Sequence, residues 1–479
     1  MNRVLPFALL LAGLRLASSP LITQKNISTG NTIAIAHVTV IDGTGAPAKL
    51  DQTVLIEGDR TVAIGPAASS HPPSTAKIVD ARGLYLIPGL WDVHVHVWHA
   101  DRAFPMFLAN GVTGVRNTGG HADDLKRWRQ ELREGKRQGP VLVACGPVVD
   151  GPPPVHPDHS VVVESAAQGR AAVDDLKSQG WDFVKVYENL SRESYFAIAA
   201  EARKDGIPFV GHVPVSIAAL EASDAGQRSI EHLDGLDYMI SPKGDEFRRD
   251  RLERIGKPLQ PGEMMKLPMR IANELTQLAD TYDARRAADL FAHLARNGTW
   301  LVPTLSVTHV YASIGDAAMY GDKRLAYADP QERDDWEHNP IVHIEIPEYV
   351  AARKRGLQNA LRITREAHEA GVRILTGTDS GGVPYLYYGF SVHDELALLV
   401  EAGFTPMQAL QSATRDPAEF LGLNDRGTIE AGKQADLVLL RADPLADINN
   451  TRKIEAVVHG GKLMTRRELD ALLSSVRGK

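Results

Sequence analysis

The stretch Pro88-Gly89-Leu90-Trp91-Asp92-Val93-His94-Val95-His96 constrains this chain more than any other. It enters as an apolar run of β character and ends on two histidines one residue apart. Side chains alternate faces along a strand, so His94 and His96 share one face and Val95 takes the other. Two neutral imidazoles converging from one rigid strand can share a divalent cation of the zinc type. A lone His-x-His pattern is weak, so the assignment depends on ligands elsewhere in the chain.

Strand-like runs recur downstream at Gly111 to Arg116, Val141 to Cys145, Phe183 to Tyr187, Phe209 to Val213, Ser229 to Leu233, Trp300 to Leu305 and Arg373 to Asp379. Helical stretches such as Ser191 to Lys204, Ala284 to Arg296 and Arg353 to Ala370 separate them. With the His94 strand this makes eight βα repeats, the pattern of an α/β TIM (β/α)8 barrel. The intervals from Asp234 to Thr299 and from Ser306 to Val372 are long enough to carry lids or insertions.

Both ends of the chain are β-rich instead. Val38-Thr39-Val40-Ile41 and Thr53-Val54-Leu55-Ile56 stand near the start, Leu437-Val438-Leu439-Leu440 and Ala456-Val457-Val458 near the end. A small β-sandwich module built from residues 31–87 and 425–479, flanking a barrel over 88–424, accounts for this. Residues 1–22 read as a secretory signal, with Arg3 before the apolar run Val4 to Leu14 and small residues after it. The expectation is an exported protein, periplasmic or secreted, with no membrane contact once the signal is removed.

The 479 residues are enough for one large domain and a smaller module, and 24% charged residues is ordinary for a soluble globular chain. A net charge of -7 with no basic stripe argues against nucleic acid as the partner and leaves a small molecule. The single cysteine, Cys145, excludes an intramolecular disulfide and a cysteine-built zinc site. The assembly is left open, a homo-oligomer included.

Barrel enzymes place their chemistry at the C-terminal ends of the strands. Those ends carry His94, His96, Lys185, His212, His232 and Asp379. Singly, His212 and His232 are readable as satisfied core histidines and Asp379 as a helix cap; as a set at matching ends they point to metal. Lys185 discriminates further. A lysine buried between Val184 and Val186 loses its proton readily, and the neutral amine can capture carbon dioxide as an anionic carbamate ligand. The competing reading pairs Lys185 with Glu188 or Glu231. Tyr187, His156, His159 and His393 are candidates for touching substrate, each also readable as packing or exposed loop.

These motifs resemble the amidohydrolase superfamily, in its imidazolonepropionase-like and prolidase-like (Xaa-Pro dipeptidase-like) branch. The matching stretches are the Pro88 to His96 run, Phe183-Val184-Lys185-Val186, Gly211-His212-Val213, Ser229-Ile230-Glu231-His232, Leu375-Thr376-Gly377-Thr378-Asp379 and Gly427 to Val438. The resemblance implies a metal-dependent hydrolase with two divalent ions, usually Zn2+. It assigns His94, His96 and Asp379 to one ion and His212 and His232 to the other, with carboxylated Lys185 bridging. A metal-bridging hydroxide would attack, Asp379 would shuttle the proton, and Tyr187 would assist. The expected reaction is cleavage of an amide C–N bond in a dipeptide, N-acyl amino acid or cyclic amide. The alternatives are an ester, lactone or carbamate at the same site, or a mononuclear imidazolonepropionase-like or deaminase-like reaction. Deaminase relatives lack the bridging lysine, so Lys185 counts against the last.

Overall fold

A computed structural model describes residues 32–257 and 261–478. The expected signal at 1–22 lies outside the described residues. The first strands are β1 (Thr32–Val40), β2 (Lys49–Glu57), β3 (Arg60–Pro66), β4 (Lys77–Asp80) and β5 (Tyr85–Pro88). The central stretch supplies β6 (Leu90–Val95), β7 (Val112–Asn117), β8 (Val141–Ala144), β9 (Val148–Asp150) and β10 (Ser160–Val162). It continues with β11 (Val184–Val186), β12 (Phe209–Gly211), β13 (Ser229–Glu231) and β14 (Trp300–Val302), and the chain ends with β15 (Leu437–Leu440), β16 (Ile454–His459) and β17 (Lys462–Thr465).

Strands from the two ends form one mixed eight-stranded sheet, in the order β17-β16-β15-β5-β1-β2-β3 with β4 also on β1. The anticipated sandwich is therefore a single continuous sheet, joined where β15 runs antiparallel to β5. Its apolar face gathers Ile33, Ile35, Val38, Val40, Val54, Leu437 and Leu439. The inward positions of β1 change parity after Ile35, where the pairing register slips and His37 adopts φ 61°. An extra residue there turns Val38 and Val40 back toward the core.

The central strands are parallel, as their unbroken apolar runs and intervening helices require. They form a three-stranded sheet, β6-β7-β8, and a six-stranded one, β10-β9-β11-β12-β13-β14. The eighth expected strand, 373–379, is not a regular strand. It makes isolated parallel bridges, Ile374 to Leu301 of β14, and Ser380 to Val95 of β6. Val93 N also donates to Thr376 O at 3.0 Å. The irregularity has a local cause. Thr376 N donates instead to Ser412 O, and the buried Asp92 carboxylate accepts from Thr378 N at 3.0 Å and Thr378 Oγ1 at 2.6 Å. The interval 234–299 holds several helices, among them Leu267–Asp280 and Ala284–Asn297, and 306–372 holds the whole of the 23-residue helix Pro347–Glu369. Among the described residues no helix is long and apolar enough to cross a membrane.

Candidate metal centre

His94 lies near the end of β6 and His96 just past it, both buried, with ring centroids 5.6 Å apart. Each ring is anchored by its Nδ1, which donates to Glu231 Oε2 at 2.7 Å for His94 and to Gly119 O at 3.1 Å for His96. That arrangement fixes the tautomer and turns each Nε2 lone pair inward. Both Nε2 atoms approach Asp379 Oδ1, at 3.5 and 3.3 Å. His232 follows β13, with Nδ1 2.7 Å from Thr304 Oγ1 and its ring 4.5 Å from that of His94. The His212 ring is 4.8 Å from the His232 ring. Its Nδ1 lies 2.9 Å from Asp234 Oδ2, near enough for charge attraction but outside hydrogen-bond alignment. Burial alone would lower the pKa of His212, but the Asp234 and Glu188 carboxylates carry it up to about 9.

Lys185 occupies the middle of β11, fully buried, and its Nζ has no hydrogen-bond partner. Burial lowers its pKa against the opposing pull of Glu231, and its charge is felt by His94, His212 and His232. Burial would raise the pKa of Asp379, but His96, His94 and His232 hold it ionised, below the usual carboxylate range. The structure thus brings the six expected residues to one place. Within it the donor atoms of His94, His232 and Asp379 lie within 4.8 Å of one another, a grouping that cuts across the two expected ligand sets.

The donor set suits divalent cations: imidazole and carboxylate donors, with His94 Nε2 and Lys185 Nζ buried and unpartnered. Metal binding would displace any proton from those nitrogens.

Backbone conformation marks the same spot. His232, Thr304 and Asp379 have φ of 58°, 45° and 62°, left-handed values that cost non-glycine residues energy. The turn after Asp379 needs glycine. A Cβ on Gly382 would stand 2.5 Å from Asp379 Oδ1, and one on Gly381 2.0 Å from His96 O.

Tyr187 packs over His212, ring centroids 4.0 Å apart, and its hydroxyl is 2.9 Å from His156 Nε2. His159 stacks on His156 at 4.9 Å and also meets Trp98. These three form a rim beside the metal-ligand cluster. Burial lowers the pKa of His159 to about 4, so its ring is neutral near pH 7. His393 is not brought to the site. It is buried on the helix Phe390–Glu401, with Nδ1 2.9 Å from Thr451 Oγ1 and Nε2 3.1 Å from Asn110 O.

The sequence reading missed the support behind His94. From sequence, Glu231 reads as a competing partner for Lys185. Instead its carboxylate takes Arg116 Nη2 at 2.8 and 2.9 Å, Ser229 Oγ at 2.6 Å and His94 Nδ1, all fully buried. The available signal was Arg116 itself, a charge within an apolar strand, because arginine is almost never fully buried unless paired.

Residues 85–464 match the Amidohydrolase family. The chain belongs to the amidohydrolase family. As an amidohydrolase it is a hydrolase acting on C–N bonds. It is 24% identical over 401 residues to a dihydroorotase of Ruminiclostridium cellulolyticum, covering 79% of this chain and 81% of that one. A shorter match, 41% over 49 residues, spans 10% of this chain and only 8% of an adenine deaminase of Ligilactobacillus salivarius. Among solved structures, a bottromycin amidohydrolase superposes with a TM-score of 0.72 and 26% identity, covering 94% of this amidohydrolase and 93% of that chain. A putative prolidase from Bifidobacterium longum gives 0.66 at 23% identity, covering 94% and 100%; this likeness concerns the fold alone.

Proposed function

We propose that this amidohydrolase cleaves the amide bond of a dipeptide, an N-acyl amino acid or a cyclic amide, using two divalent cations of the zinc type. The observation that carries the reading is Lys185: a fully buried, unpartnered amine in electrostatic contact with three imidazoles and Asp379. Such an amine attacks carbon dioxide, the N–C bond forms, one proton leaves to solvent, and the resulting carbamate is an anionic ligand. His94, His96, His212, His232, Asp379 and the Lys185 carbamate would hold the cations within a closed (β/α)8 barrel. Bound there, the cations would supply Lewis acidity toward the substrate carbonyl and activate water.

The chain's own groups do the rest. Asp379 accepts the proton of the attacking water and passes it to the leaving nitrogen, as base and then acid. The C–O bond forms, the C–N bond breaks, and a carboxylic acid and an amine depart. Tyr187 keeps its proton, because burial and nearby carboxylates raise its pKa. Its hydroxyl, steadied by His156, is available to donate to the substrate carbonyl oxygen. The substrate is a small molecule and the working compartment is outside the cytoplasm.

The test is a panel of dipeptides, N-acyl amino acids, cyclic amides and matched esters, assayed with zinc-loaded and chelated protein. Expected are metal-dependent amide turnover and two metal equivalents per chain. Turnover of esters alone, or amide turnover indifferent to chelation, overturns the proposal.

A further inference from the structure

A pocket of about 240 Å³ begins at His232 and Thr304 and continues between the helices Leu267–Asp280, Leu305–Ala312 and Pro347–Glu369. Leu275, Leu278, Val307 and Ile363 make its walls apolar, and Arg353 lines it as well. Half-buried Arg353 has no carboxylate within ion-pair distance among the described residues, and its Nε is buried without a partner. One Nη2 donates to Tyr349 Oη at 2.7 Å, and the guanidinium stands over the rings of Tyr311 and Tyr349, 4.6 and 4.9 Å from their centroids. The planar fork is thereby held in one orientation, while its positive charge has no counter-ion. Besides His232, Tyr311 and Arg353, the ionisable group on the wall is Asp237, which accepts from Tyr238 N and whose pKa is raised by burial to about 7.

A guanidinium half-withdrawn from water into an apolar pocket is stabilised by an anion that enters beside it. The volume lies below the roughly 300–1,000 Å³ of a drug-sized site, so it suits one part of a substrate. We propose that this pocket seats the apolar, carboxylate-bearing half of the substrate, with Arg353 binding the carboxylate. The substrate class is then an N-acylated apolar amino acid with a free α-carboxylate, its amide held at the His232 end. This rests on the amide-hydrolase reading of the metal centre.

The experiment compares N-acetyl-L-leucine with N-acetyl-3-methylbutylamine, the same amide without the carboxylate, on zinc-loaded wild type, Arg353→Met and Arg353→Lys. Metal content and titration of N-acetyl-L-leucine into each protein are measured in parallel. Wild type is expected to prefer the acid. Arg353→Met should lower kcat/KM for the acid about 100-fold, mainly through KM, and abolish that preference, with Arg353→Lys partly restoring it. Equal turnover of acid and neutral amide by wild type overturns the inference and leaves the amide reading standing. Turnover of neither overturns the amide reading for this substrate class. In that case titration decides the pocket: binding lost in Arg353→Met supports it, and binding absent or unchanged overturns it.

Discussion

Lys185 shows how much chemistry one position can hold. Valines flank it in β11, its amine has no hydrogen-bond partner, and its charge is felt by His94, His212 and His232. Lys185→Ala is expected to lose at least half of the bound zinc and to lower turnover more than about 100-fold. Short carboxylic acids that fit the vacated space should restore part of the activity. Elemental analysis checks it, and wild-type metal content would remove Lys185 from the coordination shell. The six candidate ligands were legible because polar side chains interrupt, or immediately follow, apolar runs where strands end. Glu231 and Arg116 were not, because nothing in a spacing of 115 residues says that two charges meet. His393 follows the alternative reading, packing within a helix instead of lining a substrate wall, and its sequence position after a strand end does not distinguish the two.

The helix Phe390–Glu401 serves as a brace. Glu395 accepts from Leu305 N at 2.9 Å and Ser306 N at 2.7 Å, fixing the chain just beyond Thr304, which in turn contacts His232. Two residues earlier His393 ties the helix to Asn110 and Thr451, and burial lowers its pKa to about 3. The folded state therefore resists protonating a ring that the unfolded chain protonates near pH 6.5. Stability from this group is complete above pH 6.5 and falls as pH drops toward 3. Between pH 6.5 and 5 the loss is about 2 kcal/mol. His393→Asn should show a shallower fall in melting temperature over that interval; an identical slope would contradict it. At this scale the regular strands were readable from apolar runs. The eighth is less regular than its sequence suggests because the Thr376–Ser412 bond and the Asp92–Thr378 contacts replace ladder bonds, effects that propensity does not register.

Across the whole molecule the candidate ligands come from segments spread between residues 94 and 379, so cations would tie distant strands together. Chelating the zinc-loaded protein should lower its melting temperature by roughly 5 °C, since binding at a thousandfold excess over Kd contributes about 4 kcal/mol. Calorimetry with and without chelator checks this, and an unchanged transition would mean that the cations brace nothing. The split of the β-rich ends around a central α/β region was readable from short apolar runs and their alternation with helical stretches. Their merger into one sheet was not, because pairing between β5 and β15 depends on where the intervening chain delivers its ends.

That pairing sets a timetable for synthesis. Tyr85–Pro88 leaves the ribosome hundreds of residues before Leu437–Leu440, its antiparallel neighbour, exists. At ordinary elongation rates the wait is on the order of tens of seconds, during which Leu86 and Ile87 have an unmet edge beside them. A nascent chain of this kind needs shelter until Leu437–Leu440 has been made.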